Sequence, residues 1–358
     1  MTDSSLQRFN FTLPREAIAL RPAEPRESAR LLHLPSEGAR EDLRVADLPG
    51  LLREGDCLVL NDSWVTPAAL EGVRAPREAE GEGVAVHVNL IARCSPQNWR
   101  AFARPGKRLR PGDRIVFAAD LSALVLEKDG AALLLEFSCA GAVLDAALER
   151  IGQAPLPPYI LAQRPADRRD RLDYQTAYAD RAAPALSVAA PTAGLHLTPA
   201  LLAQLEAQGV QLARITLGVG AGTFLPVQEE DLANHVLHAE RYVVGEAACA
   251  IINTTRAGGG RVIAAGTTSL RALESCCWGP EGVEPTSGET QLFIRPGHAF
   301  RSAEGLLTNF HLPRSTLFML VCAFAGLARM QEAYAHAVAS GYRFYSYGDA
   351  SLLWRAAP

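Results

Sequence analysis

An α/β fold carrying an inserted all-β barrel is predicted by two changes of texture along the 358 residues and by their composition. Between about Leu58 and Arg150, short apolar runs (LVLND, VAVHVNLI, RIVFA, LSALVL, ALLLEF) alternate with turn formers such as Pro105-Gly106, Pro111-Gly112-Asp113 and Asp129-Gly130. That spacing is the pattern of a barrel or sandwich of short strands. From about Pro155 onward, apolar β-type runs alternate with helical patterns, which predicts a largely parallel sheet covered by helices. With 48% hydrophobic and 21% charged residues the chain can build a sizeable core, and disorder is excluded for its bulk. The expected division is a discontinuous α/β domain from 1–58 and 152–358, with 59–151 as the β insert.

Each element has its own justification. FTLPREAIAL at the N-terminus is too short for a core of its own and is expected to join the α/β part. PLPPYI (155–160) is a rigid return connector from the insert. VAAP (188–191) reads as a strand leading through TAGLHL into TPALLAQLEAQG, where Thr198 is a good N-cap, Pro199 fits the first helical position and Gly209 the stop. QLARITL (211–217) leads into GVGAGTF, RVIAAG (261–266) into TTSLRALES, and LLTNFHLP into a helix starting near Ser315. The apolar run Leu317 to Leu327 is shorter than the roughly 20 residues needed to span a bilayer and reads as a buried helix. In such a sheet, polar residues at the carboxyl ends of strands gather in one crevice where ligands bind.

Charge narrows the partners. With 35 Lys+Arg against 39 Asp+Glu the formal net charge is −4, which argues against a general coat for nucleic acid and leaves only local contact. The stretch 100–114 is the place for it: Arg100, Arg104, Lys107, Arg108, Arg110 and Arg114 stand against one acid, Asp113. A solvated turn is the alternative reading of the same run. MTDSSLQRF has neither the basic start nor the apolar stretch of a signal peptide, so a cytoplasmic protein without membrane contact is expected. Seven cysteines without C-x-x-C spacing predict reduced thiols.

Several groups can carry chemistry. Gly218, Gly220 and Gly222 follow a predicted strand and let backbone amides approach a nucleotide or carboxylate, or else form a plain tight turn. Gly266-Thr267-Thr268-Ser269 lies where a strand enters a helix. One hydroxyl suffices for an N-cap, so the others point to a bound anion, with Arg271 in the first turn adding charge. His235 and His238 are one helical turn apart beside Glu240, but no third ligand stands at a diagnostic distance, and no metal is expected. His196 and His311 sit in strand-end loops and are candidate acid/base groups or packing histidines.

Taken together, NDSWVTPAAL (61–70), PLPPYI (155–160), YQTAYA (174–179), VAAPTAGLHLT (188–198), VGAGTFLPV (219–227), HVLHAE (235–240), VIAAGTTSLRALES (262–275), TNFHLPRSTLFMLVCAFAG (308–326) and YRFYSYGDASL (342–352) resemble, in order, the signature of the S-adenosylmethionine:tRNA ribosyltransferase-isomerase family. The resemblance implies transfer of the ribosyl unit of S-adenosylmethionine to 7-aminomethyl-7-deazaguanine at the tRNA wobble position, and its rearrangement to epoxyqueuosine with loss of adenine and methionine. It also implies an α/β domain with an inserted barrel. S-adenosylmethionine serves as ribosyl donor, without a further cofactor, and the anticodon loop of tRNA is the partner of an expected monomer. Because the sulfonium activates ribose C5′, the chemistry asks for a proton acceptor there and donors for departing adenine. On motif membership, His196, His311 and Asp349 are the proton-transfer candidates. Thr192, Gly194, Gly220, Gly222, Thr223, Thr267, Thr268, Ser269, Arg271, Asn309 and Tyr347 are the substrate binders, and the six cations of 100–114 the RNA contacts. The sequence departs from the family at Trp64 and Ala69, where arginines are usual, at Gly218 for histidine and at His87 for glutamate. A diverged transferase acting on another RNA or a small molecule, and a non-catalytic RNA-binding descendant, are the alternatives.

Overall fold

The computed structural model describes residues 6–78, 81–183, 187–220 and 237–356. Its centre is a nine-stranded sheet in the order Thr286–Thr290, Glu240–Val244, Gln211–Leu217, Cys57–Asn61, Val262–Ala265, Gly305–Asn309, Ala350–Trp354, Arg30–Leu34 and Glu41–Arg44. The expected class is observed, but the sheet is mixed. The four strands from Gln211–Leu217 to Gly305–Asn309 run parallel, as does Ala350–Trp354 with Arg30–Leu34, whereas the other pairings are antiparallel. The parallel centre is buried on both faces, which explains its continuous apolar runs. In Cys57–Asn61, Cys57 and Val59 enter one core and Leu58 and Leu60 the other.

Helices cover both faces. Glu246–Ala257, Thr267–Glu274, Thr316–Ala325 and Leu327–Ala339 pack on the first core, and Pro199–Ala207 on the second. Thr198 accepts a hydrogen bond from the Leu201 amide at 3.3 Å, and Ser315 from the Phe318 amide at 3.1 Å, so both helices start at the expected caps. Phe11 packs edge-on against Phe318 and Tyr334, which ties the N-terminal segment into the α/β part. No single helix among the described residues is long and apolar enough to cross a membrane. Thr316–Ala325 and Leu327–Ala339, which together would be, are bent by 117°.

Six strands between Ala69 and Phe137 close an antiparallel barrel around Trp99, Phe137 and aliphatic side chains. Three expectations need correction. LVLND belongs to the central sheet, so the expected boundary at 58/59 falls inside the strand Cys57–Asn61. Its alternate residues feed the two α/β cores, and the barrel strands begin only at Ala69. VAAP forms no ladder. Val188 donates to the Val219 carbonyl at 3.0 Å, and the segment then turns into the short 3₁₀ helix Thr192–His196. Finally, Asn98–Arg104 is a strand, with Trp99 and Ala101 inside the barrel and Arg100 and Arg104 facing out.

Candidate active site

The carboxyl ends of the parallel strands converge as the sheet topology predicts. Val262–Ala265 ends at Gly266, Gly305–Asn309 leads to His311, Gln211–Leu217 leads to Val219, and between them stands the Thr192–His196 turn. They surround an open cleft of about 610 Å³, to which Thr192, Thr267, Thr268, Thr308, Asn309 and His311 contribute. Its described lining residues include hydroxyls, an amide and an imidazole but no formally charged side chain.

Two glycines make this possible. Gly266 adopts φ +96°, a conformation that favours glycine, and turns the chain from strand to helix so that Thr267–Glu274 begins at the cleft, with Thr267 and Thr268 in its lining. Gly194 lies so close to Tyr178 that a Cβ there would stand 1.9 Å from the phenol oxygen. The Thr268 hydroxyl is buried and has no partner, as a group awaiting a ligand would be.

A polar chain backs the cleft. Thr192 donates to Asn309 Oδ1 at 3.1 Å, which leaves Asn309 Nδ2 to donate to His196 Nε2 at 3.3 Å. His311 Nε2 lies 3.2 Å from the Thr308 hydroxyl, and its backbone amide donates to Tyr334 at 3.0 Å. Burial pulls the imidazole of His196 down to about 4, partly offset by the charge of Asp349, and that of His311 to about 3. Both rings are neutral at pH 7.

The sequence candidates separate into three groups. Thr192, Thr267, Thr268, Asn309 and His311 line the cleft. His196 stands behind Asn309, Gly194 lies within the turn against Tyr178, and Gly220 follows the lining residue Val219 and donates to Glu240 at 3.2 Å. The remaining described candidates do not line the cleft, although Arg271 Nη2 and the Tyr347 hydroxyl are buried without a partner. Ser269 donates to the carbonyl of Ala265, the last residue of the preceding strand, at 2.8 Å. Arg271 pairs with buried Glu240 and donates to the Leu292 carbonyl at 3.0 Å. Asp349 accepts from the amides of Arg30 (3.1 Å) and Arg343 (2.8 Å), and Tyr347 packs edge-on against Tyr174. Gly222, Thr223 and His235 lie outside the described residues. Among the described residues no group of three or more His, Cys, Asp or Glu side chains is placed to hold a metal ion.

Sequence reasoning left Tyr174, Tyr345 and Ser346 unassigned, although all three line the cleft. The signal was their membership of the aromatic blocks YQTAYA and YRFYSYGDASL. Tyr345 holds φ +76°, a sparsely populated conformation for a non-glycine residue, secured by hydrogen bonds from its amide to Phe310 and to its carbonyl from Gly348, each 2.9 Å.

Arg100, Arg104, Lys107, Arg108, Arg110 and Arg114 are all exposed on the barrel, and among the described residues none is paired with a carboxylate. The one acid of the stretch, Asp113, is buried and held by Arg77 at 2.7 Å, which leaves the strip its full positive charge. Of the departures, Trp64 lines a second recess, Ala69 opens the first barrel strand, His87 stands exposed opposite Glu71 and Arg104, and buried Gly218 donates to the Arg241 carbonyl at 2.9 Å.

A hydroxyl-lined cleft at the ends of parallel strands, beside a barrel faced with unpaired cations, defines an α/β enzyme built for a nucleotide-derived substrate. The family model described as queuosine biosynthesis protein matches residues 6–353. The S-adenosylmethionine:tRNA ribosyltransferase-isomerases of Phenylobacterium zucineum and Methylobacterium sp. are each 55% identical to the chain, over 98% and 97% of it and 99% and 98% of their own lengths. The crystal structure of the S-adenosylmethionine tRNA ribosyltransferase from Thermotoga maritima superposes with a TM-score of 0.55 at 33% identity, covering 96% of this chain and 99% of that one. The chain belongs to the S-adenosylmethionine:tRNA ribosyltransferase-isomerase family of queuosine biosynthesis.

Proposed function

We propose that the protein transfers the ribosyl unit of S-adenosylmethionine to the aminomethyl group of 7-aminomethyl-7-deazaguanine at the tRNA wobble position and isomerises it to epoxyqueuosine, releasing adenine and methionine. The observation that carries this reading is the cleft, without a formally charged side chain among its described lining residues, with its unpartnered Thr268 hydroxyl and neutral His311. Hydroxyls and amides suit a ribose and a carboxylate. His311 is the proton-transfer group. Neutral at pH 7, it can accept a proton from ribose C5′, and the imidazolium so formed can return one to departing adenine. Asn309 orients the donor, with His196 and Thr192 fixing its amide. Asp349 holds the segment that bears Tyr345 and Ser346. The barrel strip meets the phosphates of the anticodon loop.

The test is incubation with S-adenosylmethionine and an anticodon stem-loop bearing the aminomethyl-deazaguanine. Adenine release matched by epoxyqueuosine in the digested RNA is expected, and His311→Ala slows single turnover about a hundredfold or more. No adenine release from the wild type refutes the reaction. Release with a different acceptor alone makes the protein a diverged transferase.

A further inference from the structure

We propose that the recess beside the cleft, walled by Trp64 and Tyr174, binds the acceptor nucleobase through the side-chain amide of Gln175; this rests on the transfer reaction proposed above. The recess is open to solvent and shares Tyr174 with the cleft. Pro67 and Ala154, where the chain enters and leaves the barrel, form its other side, so it lies between the root of the barrel and the reaction site.

Its chemistry selects a flat, neutral ligand with a hydrogen-bond acceptor. The Val65 amide donates to Gln175 Oε1 at 3.1 Å, which fixes the orientation of the side-chain amide. Gln175 Nε2 is then a committed donor, and it is buried without a partner. A buried donor without an acceptor is unfavourable and rare, so Gln175 Nε2 at this recess points to a ligand that satisfies it. A deazaguanine ring offers a carbonyl oxygen on its edge and a π face for an aromatic wall.

The recess is also ill suited to a phosphate. Arg171, the one cation among its described lining residues, spends Nη1 on the Glu149 carbonyl (2.7 Å) and Nη2 on the Glu149 carboxylate (2.8 Å). The same carboxylate accepts from Trp64 Nε1 at 3.3 Å, and the Arg181 guanidinium covers the indole 4.3 Å from the ring centre. The indole is thereby held in place before any ligand arrives, which lowers the ordering cost of binding.

Equilibrium binding of two anticodon stem-loops tests the assignment, one carrying 7-aminomethyl-7-deazaguanine and the other abasic at that position. The wild type is expected to prefer the base-bearing RNA about tenfold, the scale of one base–aromatic stack. Gln175→Glu keeps the oxygen facing Val65 but replaces the free donor by an acceptor, and Trp64→Leu removes the aromatic wall. Each should bring the preference within about twofold of unity, and thermal melting of both variants reports whether the fold survives. Preference retained in both folded variants, or absent in the wild type, overturns the proposal. If one variant fails to fold, the other decides. Wild-type preference lost in the variants but without adenine release supports the recess and sinks the reaction; adenine release with preference intact in the variants does the reverse.

Discussion

Gly194→Ala isolates one steric contact on which the cleft depends. Gly194 lies in the turn Thr192–His196, and its φ is outside the left-handed region, so alanine meets no backbone penalty there. Space is the obstacle. A Cβ would stand 1.9 Å from the Tyr178 phenol oxygen, 2.9 Å from Tyr178 Cζ and 3.0 Å from Thr176 Cγ2. Tyr178 is buried in the second core with Leu197 and Leu201, and a packed ring cannot swing its hydroxyl aside. Either the ring or the turn must retreat by about an ångström, an overpacking that costs about 3 kcal/mol. If the turn moves, Thr192 leaves Asn309 and the amide held between Thr192 and His196 loses its orientation. Displacement on that scale lowers kcat/KM about a hundredfold. Urea unfolding and adenine release measure the two effects. Tyr178→Phe removes the atom at 1.9 Å and leaves the one at 2.9 Å, so the double variant should recover roughly half of the lost stability. The Tyr178 hydroxyl has no partner, so Phe alone should cost little. Unchanged stability and activity in Gly194→Ala, or strict additivity in the double variant, would refute the reasoning.

The adjacent hydroxyls of Thr268 and Ser269 should separate cleanly. Thr268→Ala raises KM for S-adenosylmethionine with little change in melting temperature, whereas Ser269→Ala costs about 1 kcal/mol in denaturant unfolding and leaves KM unchanged. Acid stability follows from the buried imidazoles. With His311 near 3 and His196 near 4 when folded, against 6.5 when exposed, the unfolded chain binds more protons between these values, so stability falls as pH drops below about 6.5. His311→Asn should flatten that decline by about 3 kcal/mol at pH 4, read from urea titrations across pH. On the barrel, Arg104→Ala should weaken RNA binding and lower the slope of log K against log salt by about 0.7–0.9 without altering the melting temperature, because the side chain is exposed.

The parallel centre of the sheet was legible because strands buried on both faces leave unbroken apolar runs, and QLARITL becomes the strand Gln211–Leu217 residue for residue. The antiparallel outer strands were not, since pairing direction depends on connections that a local pattern does not encode. Leu58–Asp62 was misplaced for a related reason: an apolar run reads alike in a barrel and in a sheet. Of the residues chosen by strand-end position, His311, Thr267 and Thr268 line the cleft, whereas Ser269 and Arg271 do not. Helix geometry turns Ser269 back to Ala265, and Glu240, distant in sequence, captures Arg271. Tyr174 and Tyr345 escaped because an aromatic side chain carries no chemical label until the fold brings it to a cleft wall.

Asp349 shows how a residue can govern the cleft without lining it. One carboxylate oxygen accepts from the Arg30 amide (3.1 Å) and Arg343 Nη2 (3.2 Å), and the other from the Arg343 amide (2.8 Å). This clamps the turn in which Tyr345 is held at φ +76° with Ser346 beside it. An asparagine must turn an N–H₂ toward one of those donors, so Asp349→Asn loses at least one charge-assisted bond to buried backbone, about 2 kcal/mol. The Arg343 guanidinium is over a third exposed, so its share is small. The substitution also removes the charge that holds the His196 pKa up against burial, and that imidazole should titrate lower still. Positioning therefore predicts a raised KM for S-adenosylmethionine, a fall in stability and a lower His196 pKa by NMR titration, with the single-turnover rate at saturating donor reduced less than by His311→Ala. A rate loss equal to that of His311→Ala at unchanged KM would instead make Asp349 a proton-transfer group, and the clamp would be secondary.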